Sequence, residues 1–197
     1  QTLALMDSIY SAPDVRFITA RHELGAAHMA GAYGRMTHRP GVLLVTAGPG
    51  ATNAVTGVVG AYRDSSPLLA LTINNRRATI GWDEAQDMDH VRLFRGITKH
   101  SRFVDDERSL VRSIREALQI AQSGNPGAVH VDIARDVLED GEVDFESIPT
   151  SAYRASNSIL PLPESVEEIR ALIERSARPV LWVGNGVRLG GAGEAAI

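Results

Sequence analysis

The sequence predicts an α/β fold: a doubly wound, mostly parallel sheet, followed by a second α/β domain that is cut short. Three observations predict it. Short apolar runs alternate with longer segments of helical spacing along most of the 197 residues. One of the runs, Gly41–Thr46, is continuously apolar, as expected for a strand covered on both faces. Glycine-rich turns join strand ends to helix starts, most clearly at Gly48-Pro49-Gly50.

In chain order, Leu3–Tyr10 reads as a helix and residues 16–19 as a short apolar strand. Residues 23–36 form a helix rich in Gly and Ala, and Gly41–Thr46 is the next strand. Residues 51–62 make a helix entered through Gly-Pro-Gly, and Leu68–Ile73 is a strand introduced by Pro67. Residues 74–89 are polar and read as a long loop, a length that is often functional in a compact domain. Residues 102–104 suit a short strand. Residues 109–122 are an amphipathic helix with Leu110, Ile114, Leu118 and Ala121 at helical spacing and Ser109 as its cap. Asn125-Pro126-Gly127 turns the chain into the strand Ala128–Ile133.

Beyond this point the pattern changes. Residues 1–138 form the first domain, and acidic, Ser- and Pro-containing residues 139–163 read as a linker. Residues 164–197 begin a second domain, with a helix over 164–176, a strand over 180–183 and the turn Gly184-Asn185-Gly186. A chain that starts within a helix and stops soon after a new strand reads as a fragment.

Composition narrows the function. The chain is 44% hydrophobic, which supports a buried core, and its formal net charge is -4. Lys and Arg are scattered, so no basic patch invites nucleic acid. No apolar run approaches the roughly 20 residues of a membrane helix, and no signal-peptide pattern opens the sequence. Cysteine is absent, which excludes disulfides, thiol catalysis and cysteine metal sites, and fits a cytoplasmic location.

Glu23 is the most chemically useful group, a lone carboxylate at a strand-to-helix junction. Carboxylates are also favoured there simply because they complement the helix dipole. Gly25, Ala26, Ala27, Ala30, Gly31 and Gly34 make the helix that follows small-sided, so a backbone or a flat ligand can approach it closely. A carboxylate in such a dry contact can share a proton with a ligand nitrogen. Residues Gly48 to Asn53 form either a tight turn or a phosphate cradle at a helix start, without the Lys-Ser/Thr of a phosphate loop. Asp87, Asp89 and His90 lie close together but match no metal-ligand spacing, so no metal ligand is assigned.

Taken together, Arg21-His22-Glu23 with Gly25-Ala26, residues Gly41 to Asn53, Ala61-Tyr62-Arg63-Asp64-Ser65, Gln86-Asp87 and Ile97-Thr98-Lys99-His100 resemble the N-terminal pyrimidine-binding domain of thiamine-diphosphate-dependent enzymes. The resemblance is to the acetolactate synthase group. Arg178-Pro179-Val180-Leu181-Trp182-Val183-Gly184 is similar to the first strand of that family's central domain. The resemblance implies a first strand that would precede Gln1. It implies that Glu23 hydrogen-bonds a ring nitrogen of the cofactor's aminopyrimidine and favours its imino tautomer, which activates the thiazolium carbon for attack on a 2-keto acid. Pro49, Gly50 and Asn53 match the turn against the pyrimidine, and Gln86 and Lys99 match residues of the substrate channel.

The same resemblance implies decarboxylation, carboligation or both, with Mg2+ and the diphosphate held by a domain absent from this chain. It implies that the isolated chain is inactive, that FAD is possible in the central domain, and that the protein is a homodimer or homotetramer. The small-sided helix after Glu23 suits that subunit contact. The chain departs from the family at Ala85-Gln86-Asp87, where Phe-Gln-Glu is usual, and at Asn74-Asn75-Arg76-Arg77 after the third strand; Gly-Asp-Gly occurs nowhere in it. A non-catalytic homologue serving as a binding or regulatory module is the alternative, and a plain nucleotide-binding α/β protein is a third reading.

Overall fold

A computed structural model describes residues 2–139, 145–153 and 160–196. The chain divides into two compact units, Gln1–Ser156 and Asn157–Ile197. In the first, α1 (Leu3–Tyr10) and α2 (Glu23–Thr37) precede β1 (Gly41–Thr46), α3 (Pro49–Arg63) and β2 (Leu68–Ile73). Next come α4 (His90–Arg95), β3 (Ser101–Val104), α5 (Glu107–Gln122), β4 (Ala128–Ile133) and α6 (Arg135–Glu139). The four strands form one parallel sheet in the order β1-β2-β4-β3. The α/β class and the parallel, doubly wound sheet are as the apolar runs predict.

The sheet is covered on both sides because alternate strand residues face opposite ways. Leu43, Val45, Leu68 and Ala70 pack with Ala27, Ala54, Val58 and Phe94 on one face. Leu69, Ile73, Val129, Val131 and Ile133 pack with Ala117 and Ala121 of α5 on the other. All six residues of β4 are buried.

The small residues of α2 have a partner within this chain. A Cβ added at Gly57 of α3 would lie 2.5 Å from the Cβ of Ala27, and one at Gly31 would lie 3.3 Å from that of Ala61. Ala27, Ala30, Gly31 and Gly34 are all buried. The buried small residues therefore serve the packing of α2 on α3 and β1.

Other departures have local causes. Residues 16–19 make no ladder pairing among the described residues, and Phe17 and Ile18 are exposed. A four-residue run without a neighbouring strand does not make a strand. The helix predicted over 109–122 starts earlier, at Glu107, and is capped by Asp106, whose carboxylate accepts from the Arg108 N–H at 3.2 Å. Ser109 instead donates its hydroxyl to the Asp106 carbonyl. The short helices α4 and α6 were not predicted, because five or six residues carry too little periodicity to read.

Within the stretch read as a linker, residues 140–144 and 154–159 lie outside the described residues. Residues 145–153 include a 3₁₀ turn, Thr150–Ala152. Arg115 of α5 donates to the Glu146 carbonyl and lies 5.9 Å from the centre of the Tyr153 ring. The second unit holds α7 (Pro163–Glu174) and α8 (Asn185–Leu189). Residues 180–183 form no strand there: Val180 is 92% and Trp182 96% exposed, and nothing described pairs with them.

Candidate active site

Glu23 opens α2. His22 caps the helix with its own Nδ1, which accepts from the Leu24 N–H at 3.1 Å, so the Glu23 carboxylate is not needed as the cap. It turns instead toward α3, where its Oε2 accepts from the Asn53 amide at 3.2 Å. Glu23 is half-buried. Among the described residues, its other oxygen has no hydrogen-bond partner. A carboxylate oriented by a neutral amide, with one oxygen left over, can take a proton-bearing nitrogen of a flat ligand. The site thus fits an aminopyrimidine.

The turn that delivers Asn53 is fixed from its start. Gly48 has φ 58 and ψ −112, a conformation open to glycine, and caps α3 just before Pro49. Gly50 N–H donates to the Ala47 carbonyl and Thr52 N–H to the Gly48 carbonyl. Gly48 N–H donates to His90 Nε2 at 2.9 Å. These backbone donors are committed within the protein, which disfavours the phosphate-cradle reading.

Gln86 is brought to the same turn. A Cβ at Gly48 would meet the Cα and Cβ of Gln86 at 3.0 Å, so the lack of a side chain there lets the 74–89 loop lie against the turn. Gln86 itself has φ 69. Asn75 steadies this approach by donating its amide to the Ala85 carbonyl, and Asp87 Oδ2 accepts from the Gly81 N–H.

Lys99 is placed elsewhere. Its ammonium donates to the Ile120 and Ser123 carbonyls, each at 2.5 Å, at the C-terminal end of α5. A cation there complements the helix dipole, and burial holds the ammonium below its ordinary pKa. Glu23 and Asn53 are thus joined directly, Gly48 and Gln86 touch, and Lys99 makes no described hydrogen bond to any of them.

Sequence reading missed a buried polar cluster at the C-terminal end of the sheet. Asp132, 1% exposed, accepts from Thr72 Oγ1 at 2.5 Å and from the Asn74 amide at 2.7 Å. Its Oδ1 also lies 3.1 Å from Nδ1 of the fully buried His90. Since Nε2 accepts a backbone N–H, Nδ1 carries the proton and donates it to Asp132. His130 stacks on Phe94 with ring centres 4.2 Å apart and bonds Thr72 and Ser101. Burial pushes its pKa down to about 3, against the pull of Asp132 and with the help of His90 and His100. The one available signal was polar residues inside apolar strands: Thr72, His130 and Asp132. Asp87, Asp89 and His90 diverge, with Asp89 capping α4 through the Arg92 N–H.

The parallel sheet thus brings a carboxylate and a glycine turn together at neighbouring helix starts. Residues 1–93 match the family model for the thiamine pyrophosphate enzyme N-terminal TPP binding domain. The chain as a whole is acetolactate-synthase-like. It is 40% identical over 98% of its length to a probable acetolactate synthase large subunit of Methanocaldococcus jannaschii, covering 33% of that protein. It is 38% identical to an acetolactate synthase of Arthrospira platensis, over 96% of this chain and 34% of the relative. A mitochondrial acetolactate synthase of Schizosaccharomyces pombe is 38% identical over 94% of the chain and 29% of its own length. The chain therefore spans about a third of the length of these relatives.

Proposed function

We propose that this chain is the pyrimidine-binding portion of a thiamine-diphosphate-dependent enzyme that acts on a 2-keto acid by decarboxylation, carboligation or both. The observation that carries this reading is the Glu23 carboxylate, bonded to Asn53 at 3.2 Å and with one oxygen left for a ligand. Thiamine diphosphate, when bound, would supply an acidic carbon able to add to a keto group and an electron sink for decarboxylation. Glu23 holds a proton against a ring nitrogen, and Asn53 keeps the carboxylate aimed. Pro49 and Gly50 form the wall beside that ring, and Gln86, resting on Gly48, lines the route of the substrate.

We assign Mg2+ and the diphosphate to a further domain and assign no residue of this chain to FAD. Residues 180–183, which lead into Gly184-Asn185-Gly186, form no strand among the described residues. A homodimer or homotetramer in the cytoplasm completes the proposal. The exposed Met29, Tyr33 and Met36 of α2 support a subunit contact through that helix. No described helix is long and apolar enough to cross a membrane.

Glu23→Gln in the full-length protein tests the reading. Hydrogen–deuterium exchange at the cofactor's thiazolium carbon should slow by about 10²–10⁴-fold, the usual worth of a positioned proton-transfer group. Exchange at the wild-type rate would sink the assignment. A wild-type protein that binds the cofactor and catalyses no exchange would favour the non-catalytic module.

A further inference from the structure

The fully buried His90 has no part in the chemistry described above. It stands between two fixed points. On one side, Nδ1 meets Asp132 Oδ1 at 3.1 Å, and Asp132 is itself held by Thr72 and Asn74 at the ends of the central strands. On the other, Nε2 accepts the Gly48 N–H at 2.9 Å. Gly48 is where β1 gives way to α3, in a conformation of φ 58, and where Gln86 packs against the backbone. Both ring nitrogens are therefore used, and each is used for a different element.

We propose that His90 is a positioning residue for the cofactor turn, linking the Asp132 carboxylate to the backbone N–H of Gly48. Three features support a role beyond filling space. First, a buried N–H at a non-helical corner needs an acceptor, and no neighbouring carbonyl supplies one for Gly48 among the described bonds. Second, only a side chain with two polar atoms at opposite ends can bond both partners, and neutral imidazole supplies a donor and an acceptor in the required order. Third, the same corner determines where Pro49, Gly50 and Asn53 stand relative to Glu23, and it also seats Gln86. Loosening it shifts the amide that aims the carboxylate. His90 touches neither ligand nor reacting atoms in this scheme; it acts through Gly48. The proposal rests on the reading that this turn faces thiamine diphosphate.

Two variants separate the two bonds. His90→Gln places an amide oxygen where Nε2 stands and restores the acceptor for Gly48. His90→Asn places its amide where Nδ1 stands, keeps a donor for Asp132 and leaves the Gly48 N–H without a partner. Two readouts are taken on the full-length protein: amide exchange of the peptide spanning residues 46–53, without cofactor, and the Kd of thiamine diphosphate with Mg2+ by calorimetry. Exchange in that peptide should rise about ten-fold or more in His90→Asn and stay near wild type in His90→Gln, because a buried donor without an acceptor is costly. The Kd should weaken in the same order, by roughly ten-fold against less than three-fold.

Equal exchange in wild type and His90→Asn would overturn the proposal. So would a rise in both variants spread over the whole sheet, which marks a merely structural residue. If Glu23→Gln alters cofactor behaviour while both His90 variants bind as wild type does, the inference about His90 fails and the proposed function stands. If wild-type protein binds no thiamine diphosphate, the functional reading fails and carries this one with it.

Discussion

At the scale of single residues, Glu23 and Asn53 act as one unit. They lie 30 positions apart in sequence and 3.2 Å apart in space. Asn53→Ala removes the donor that aims the carboxylate and should weaken thiamine diphosphate binding by about ten-fold, as expected for a hydrogen bond to a charged group; a calorimetric titration of the full-length variant checks this. Lys99 calls for a different test. Its ammonium is committed to the Ile120 and Ser123 carbonyls. Lys99→Met should therefore lower stability by about 1 kcal/mol in a urea titration while leaving KM for the 2-keto acid unchanged; a raised KM at unchanged stability would return Lys99 to the substrate channel. Glu23 was legible because its helix-start position and its neighbours are local. His90 and Asp132 were not, since the bond between them spans 42 positions and exists only once the sheet has formed.

At the scale of elements, the contact between α2 and α3 is set by residues with little or no side chain. Gly57 in α3 faces Ala27, and an added Cβ would lie 2.5 Å from the Ala27 Cβ and 3.0 Å from the His28 nitrogen. Gly25, near the start of α2, has nothing within 4 Å. The same substitution should thus have opposite signs at the two positions. Gly25→Ala should stabilise by about 0.5–1 kcal/mol through helix propensity, and Gly57→Ala should destabilise by about 1–2 kcal/mol once overpacking against backbone exceeds that gain. Chemical unfolding of both variants decides it. The four paired strands and the long helices were readable because each carries its own periodicity over several residues. Residues 16–19 and 180–183 were misread for the converse reason: an apolar run shows that burial is favoured, whereas a strand also needs a neighbour to bond.

At the scale of the whole molecule, His130 links stability to pH. Its folded pKa of about 3 lies below the ordinary 6.5, so between these values the unfolded chain binds a proton that the folded one refuses. The stability it contributes is complete above pH 6.5 and is lost as pH falls toward 3. Over that window this single group should cost about 1.4 kcal/mol per pH unit. His130→Gln should flatten the slope between pH 6 and pH 4 by about that amount; an unchanged slope would assign the acid sensitivity to other groups.

The strand order β1-β2-β4-β3 has a consequence in time as well as in space. β4 is the last of the four described strands, yet it sits between β2 and β3 and bonds both. As a growing chain leaves the ribosome, β1 and β2 can meet early, but β3 must wait without a partner until residue 133 has emerged. Asp132 arrives with that last strand, and only then can His90 and the Gly48 corner take their final places. The corner proposed to face the cofactor is thus among the last parts of this sheet to set during synthesis, and a nascent chain cannot offer a finished site before this sheet is complete.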